Sequence, residues 1–186
     1  VLIRPNAEKS SAERINGLKP NHVTRKGLSR TFQNIRLFAS MTVLENVMIG
    51  CHPVTSAGIL GAIFRNKSTK AEEQFIVDKS YEILRKIGLE QYVDELALNL
   101  PYGAQRRLEI ARAMATDPPV MLMDEPFGAI DPINREVLQD EFLKIQEQLK
   151  KTIVFVTHDI HEAIKMGDKI ALLDAGRLIQ YGTPEE

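Results

Sequence analysis

Asp124 and Glu125 end an apolar run, Val120-Met121-Leu122-Met123, and Thr157-His158-Asp159 ends a second one, Ile153-Val154-Phe155-Val156. Two adjacent acids and an imidazole can hold a divalent cation and move a proton. One carboxylate, Asp124, can bind Mg²⁺ through hard oxygen, and its neighbour Glu125 can orient or deprotonate a water. His158 can contact a phosphate and keep Glu125 in line. This chemistry requires the two runs to be neighbouring parallel strands that release their polar ends on one rim, where open α/β sheets place ligands. Each piece alone also has a bland reading, as acids solvated at a strand end or a histidine near a helix start, because short motifs match by chance. The pair together favours function. His22, His52 and His161 lack such a setting and read as surface or cap residues.

The surrounding pattern supplies the elements that must position these groups. Val120–Met123 reads as a buried strand, since no polar residue interrupts it. Residues 133–149 form a helix with Leu138, Phe142, Ile145 and Leu149 on one face, 152–156 a β-branched strand, and 160–166 a short helix. Lys169–Leu173 and Arg177–Tyr181 pair around Asp174-Ala175-Gly176. Upstream, a short helix begins near Pro20 and a strand runs over 28–32 after Gly27. A helix covers 41–50, where Thr42 and Glu45 have capping-box spacing. Residues 51–70, with Pro53, Gly58 and Gly61, read as irregular and mobile. An amphipathic helix spans 70–87 with Ile76, Ile83, Leu84 and Ile87 on one face and Gly88 as its stop. Gln91–Ala97 reads as one more short helix, and Gln105–Ala115 as another. Leu100-Pro101-Tyr102-Gly103-Ala104-Gln105 leads into the latter. A glycine there lets backbone amides approach an anion, although it usually marks only a turn.

The bulk composition narrows the classes. A length of 186 residues, 44% of them hydrophobic, suits one domain or a domain with a subdomain. A net charge of −1 leaves no whole-chain footprint for nucleic acid. The single cysteine, Cys51, excludes an intrachain disulfide and a cysteine-based zinc site, and reads as a small buried apolar residue. No apolar run approaches the roughly 18 residues of a membrane span, and no signal peptide is visible. The chain opens on Val1 and stops within a polar segment at Glu186, which reads as a fragment of something longer.

Taken in order, Gln33, then Tyr102-Gly103-Ala104-Gln105, then Asp124-Glu125, Asp131 and His158 resemble the nucleotide-binding domain of ABC transporters. These positions match its Q-loop, signature motif, Walker B, D-loop and H-loop. The resemblance spans essentially the whole chain. It implies an α/β fold, a RecA-like P-loop NTPase core carrying an inserted α-helical subdomain. Residues 1–35 would be a partial core with the Q-loop, 36–115 the helical subdomain, and 116–186 the core with Walker B, D-loop and H-loop. It also implies magnesium-dependent ATP hydrolysis, with Glu125 and His158 catalytic and with Asp124 and Gln33 on the metal. Gln33, Tyr102, Gly103, Ala104, Gln105 and Asp131 would face nucleotide. The implied partners are a second ATPase subunit, alike or different, a membrane permease and, indirectly, a substrate-binding protein. The implied location is the cytoplasmic face of the cell membrane.

The sequence departs from the family in places. The signature differs from the usual Leu-Ser-Gly-Gly-Gln at Tyr102 and Ala104. The Walker A loop, G-x-x-x-x-G-K-[ST], is not among these residues, so the chain by itself is expected to lack appreciable ATPase activity. Residues 28–116 look like the ATPase of branched-chain amino acid importers, and 120–186 look more like that of glycine betaine and other osmoprotectant importers. In this family the Q-loop and helical subdomain dock onto the permease, which tips the expectation towards branched-chain amino acids. The alternatives are an osmoprotectant importer and a soluble ABC protein of DNA repair or translation. The short segment 36–99 and the lack of a basic stripe weigh against the soluble reading.

Overall fold

The chain's computed structural model describes residues 2–3, 13–31, 35–51, 67–128, 130–149 and 151–185. Gln33 lies outside them, as do residues 52–66 of the stretch expected to be irregular. In chain order the strands are β1 (Leu2–Ile3), β2 (Glu13–Arg14), β3 (Leu28–Arg30), β4 (Val120–Asp124), β5 (Thr152–Val156), β6 (Ile170–Asp174) and β7 (Arg177–Gly182). The helices are α1 (Pro20–Arg25), α2 (Val43–Cys51), α3 (Lys67–Lys86), α4 (Tyr102–Met114), α5 (Pro132–Leu149) and α6 (Ile160–Met166).

β3, β4 and β5 form a parallel sheet in that order. Val120 lies opposite Leu28 and Thr152, and Asp124 lies opposite Val156, so β4 and β5 end level with each other. Met121 and Met123 are buried on one face, while Val120, Leu122 and Asp124 are only half-buried on the other. The unbroken apolar run suggested cover on both faces. Instead, β5 continues the open face with exposed Thr152, Val154 and Val156 opposite those same residues. The covered face receives α5 through Phe142, Ile145 and Leu149. Phe127 meets Phe142 edge-on at 6.2 Å and Phe155 at 5.8 Å.

α2, α3 and α4 make a helical layer whose Val43, Val47, Leu84, Leu108 and Ala111 have no solvent exposure. Thr42 and Glu45 do form a capping box. Thr42 N–H donates to the Glu45 carboxylate at 2.8 Å, and Glu45 N–H donates to Thr42 Oγ1 at 3.2 Å. The helix expected over Gln91–Ala97 is replaced by two 3₁₀ turns, Glu90–Tyr92 and Ala97–Asn99. The cause is tertiary. Val43 and Leu44 N–H groups take the Glu95 and Val93 carbonyls, and Ala97 N–H donates to Met41 O at 2.9 Å. Backbone groups engaged with the 39–44 segment cannot also close helical turns. The strand expected over 28–32 ends at Arg30, and the helix expected from Lys70 starts at Lys67. Asp174 pairs with Arg177, leaving Ala175 (φ 45°) and Gly176 (φ 76°) as the hairpin loop, the backbone signs of a type I′ turn.

Candidate functional site

The level ends of β4 and β5 decide where the polar groups emerge. Glu125 N–H donates to Val156 O at 2.8 Å, extending the ladder one residue past β4. The chain then turns, with Gly128 N–H donating to Glu125 O at 3.1 Å. Glu125 makes this turn at φ 41°, a left-handed conformation that side chains other than glycine adopt at a cost. Its carboxylate meets His158 from the next strand end, with Oε1 lying 3.2 Å from Nδ1. The structure thus brings the acid and the imidazole into contact across the rim. The imidazole is 74% exposed and the carboxylate 30%.

Asp124 stands beside this pair and is engaged by Arg30 of β3, whose Nη2 donates to Oδ2 at 2.5 Å. Sequence reading missed Arg30. The available signal was a cation on a short strand that must neighbour the strand ending in two acids. Arg30 also lines a cleft of about 470 Å³ between β3, α2 and α4, together with Arg36, Phe38, Glu109 and Arg112. The Arg112 guanidinium lies 5.6 Å over the Phe38 ring, and burial pushes its pKa down, an effect that Glu109 opposes.

The other predicted residues among those described make local hydrogen bonds within their own elements. Asp131 serves its own helix. Its carboxylate accepts Asn134 N–H at 3.1 Å and Asn134 Nδ2 at 2.7 Å, an N-terminal cap of α5. Tyr102, Gly103 and Ala104 do not precede a helix starting at Gln105. They are the first turn of α4, and Gln105 N–H already bonds Pro101 O at 3.0 Å. Gln105 Nε2 folds back onto Leu100 O at 2.9 Å. Gly103 packs against α5. A Cβ there would lie 2.8 Å from Leu138 Cδ2, the mobile end of a side chain that can yield. Tyr102 is exposed.

Residues 4–128 match the ABC transporter family. The chain belongs to that family. It is 40% identical over 188 residues to the choline transport ATP-binding protein OpuBA of Bacillus subtilis, covering all of this chain and 45% of OpuBA. It is 32% identical to the high-affinity branched-chain amino acid transport ATP-binding protein LivG of Escherichia coli, covering 94% of this chain and 68% of LivG. The ADP conformation of MJ1267, an ATP-binding cassette of an ABC transporter, superposes over 91% of this chain and 65% of its own with a TM-score of 0.69 at 28% identity. The fold is therefore the RecA-like α/β core of ABC cassettes. The chain spans about half the length of OpuBA and of several other curated relatives that it matches.

The residues present fit a magnesium ion. Asp124 offers a one-third-exposed carboxylate at a strand end, beside a second acid. No group of three or more His, Cys, Asp and Glu forms a metal cage among the described residues. Mg²⁺ keeps several waters and takes phosphate oxygens alongside one or two carboxylates, and Asp124 with Glu125 beside it offers such carboxylates. The first turn of α4 carries no side-chain cap hydrogen bond, and it is the end of a helix that favours anions. No helix among the described residues is long and apolar enough to cross a membrane.

Proposed function

We propose that this chain is the ATP-binding, ATP-hydrolysing subunit of an ABC importer and energises a separate permease. The observation that carries it is the Glu125–His158 contact at 3.2 Å beside Asp124. In this reading Asp124 would hold Mg²⁺, with Gln33 as a second donor, and the bound ion would supply positive charge for the phosphates of ATP. Glu125 orients the attacking water. His158 braces the γ-phosphate and Glu125 together. Tyr102, Gly103, Ala104 and Gln105 present the positive end of α4 to nucleotide held by a second ATPase subunit, and Asp131 lies at the same dimer seam. Such catalysis is mostly positioning and electrostatics. The core falls to residues 1–35 and 116–186 and the helical subdomain to 36–115.

In the same reading the permease would dock in the cleft that Arg36, Phe38 and Arg112 line, with the subunit on the cytoplasmic face of the membrane. A substrate-binding protein acts at one remove, through the permease. For the solute, the higher identity to choline and osmoprotectant importers, 38–42% against 32% for LivG, supports a betaine- or choline-type cargo. Branched-chain amino acids remain the second reading, carried by the likeness of residues 28–116.

The test is magnesium-dependent ATP hydrolysis by the full-length protein assembled with its permease. Glu125→Gln should lower turnover by about two to four orders of magnitude while ATP still drives dimer formation. Wild-type turnover in that variant would remove Glu125 as the base.

A further inference from the structure

His158 is 74% exposed, so side-chain packing does not hold it in place. Its loop does. Thr157 Oγ1 accepts the Asp159 N–H at 3.0 Å, closing a small turn around His158. The same hydroxyl donates to Glu162 Oε2 at 2.7 Å. Glu162 is 5% exposed, and its other oxygen accepts from Gln139 Nε2 at 3.2 Å. Both donors are neutral. Glu162 lies in the first turn of α6, whose positive end favours a carboxylate, yet burying that carboxylate on neutral donors is costly compared with an apolar side chain.

The brace continues into α5. Arg135 and Gln139 lie one turn apart and reach the same segment. Arg135 Nη1 is 3.7 Å from Asp159 Oδ2, and its Nη2 donates to Ile130 O at 3.0 Å. Asp159 also caps α6 by accepting His161 N–H at 2.9 Å. One face of α5 therefore grips the loop after β5 and the loop after β4 together.

We propose that Glu162 is a positioning residue for hydrolysis. It fixes the Thr157 hydroxyl, the hydroxyl fixes the turn, and the turn holds the imidazole against Glu125. This rests on the ATPase reading above. The full-length protein in its permease complex is compared as wild type, Glu162→Ala, Glu162→Gln, Thr157→Val and His158→Ala. Glu162→Ala should lower kcat about a hundredfold, the scale of a roughly 1 Å misplacement, with KM for ATP little changed. Glu162→Gln keeps an oxygen acceptor for Thr157 and should recover most of the rate. In a His158→Ala background, Glu162→Ala should add no further loss. An equal loss in that background means a general structural role and overturns the proposal, as does wild-type kcat in folded Glu162→Ala. If circular dichroism finds Glu162→Ala unfolded, Thr157→Val, near-isosteric and without the hydroxyl, carries the same expectations. If His158→Ala and Glu125→Gln both keep full turnover, the ATPase reading fails instead. A crystal structure of Thr157→Val then judges the brace. An imidazole displaced from Glu125 supports it, and an unmoved one overturns it.

Discussion

The helical layer and the strand-end rim use the same chain in opposite ways. In the layer, Val47, Leu84 and Leu108 are fully buried, and even its polar Asn46 is satisfied. Asn46 Nδ2 donates to Phe38 O at 3.1 Å and Thr42 O at 2.9 Å, while Oδ1 accepts Phe38 N–H. On the rim, Glu125 sits at positive φ, His158 is exposed, and Asp124 shares its charge with Arg30. Beyond the rim, β6 and β7 leave Leu173, Leu178, Ile179 and Tyr181 about 60% exposed. The layer stores stability. The rim gives up packing and leaves charged groups open to solvent, as binding and catalytic positions commonly do.

The largest expected effect sharpens this contrast. Leu84→Ala should destabilise the protein by about 3 kcal/mol, since it opens a cavity at a site with no exposure. Leu178→Ala, 60% exposed, should cost under about 0.5 kcal/mol. Urea denaturation of the two variants decides it, and similar losses would break the comparison. Next, Glu125→Gly removes a side chain from a left-handed position. It should raise thermal stability by about 1 kcal/mol while abolishing the proposed turnover. A fall in stability would mean that the Glu125 contacts outweigh the strain.

Arg30→Met is expected to change stability by less than about 0.5 kcal/mol, because both partners are solvent-accessible. It should tighten Mn²⁺ binding at Asp124, read by electron paramagnetic resonance, because a competing cation is gone. Unchanged or weaker binding would argue that Asp124 is not a metal ligand. The smallest effect lies away from both regions. The Lys151 ammonium, bonded to Asp117 at 2.7 Å, holds that carboxyl below its usual range. A depressed folded-state pKa contributes stability above the unfolded value, and the contribution disappears as pH falls through the folded one. Since Asp117 is 72% exposed, the loss below about pH 4 should amount to only a few tenths of a kcal/mol. Asp117→Asn should flatten that acid limb in pH-dependent melting curves.

Much of the fold is local in origin and was legible. The capping box at Thr42 and Glu45, the stop at Gly88 and the two apolar runs are written in consecutive residues. The Gln91–Ala97 segment is not legible as 3₁₀ turns because its backbone bonds go to residues 39–44, far away in sequence. Tyr102–Ala104 look like lead-in from the sequence because only the folded chain has them turning as helix after Pro101.

Residue types and their order determined the family and which groups can do chemistry, because a carboxylate pair at one strand end and an imidazole at the next keep their meaning in one dimension. Tertiary structure decided what those groups touch. The parallel register set Glu125 against His158 and Asp124 within reach of Arg30, and a carboxylate on α6 was buried under the loop it braces. Hydrogen bonds act over about 3 Å, and only folding brings residues 94 positions apart, such as Arg30 and Asp124, within that range.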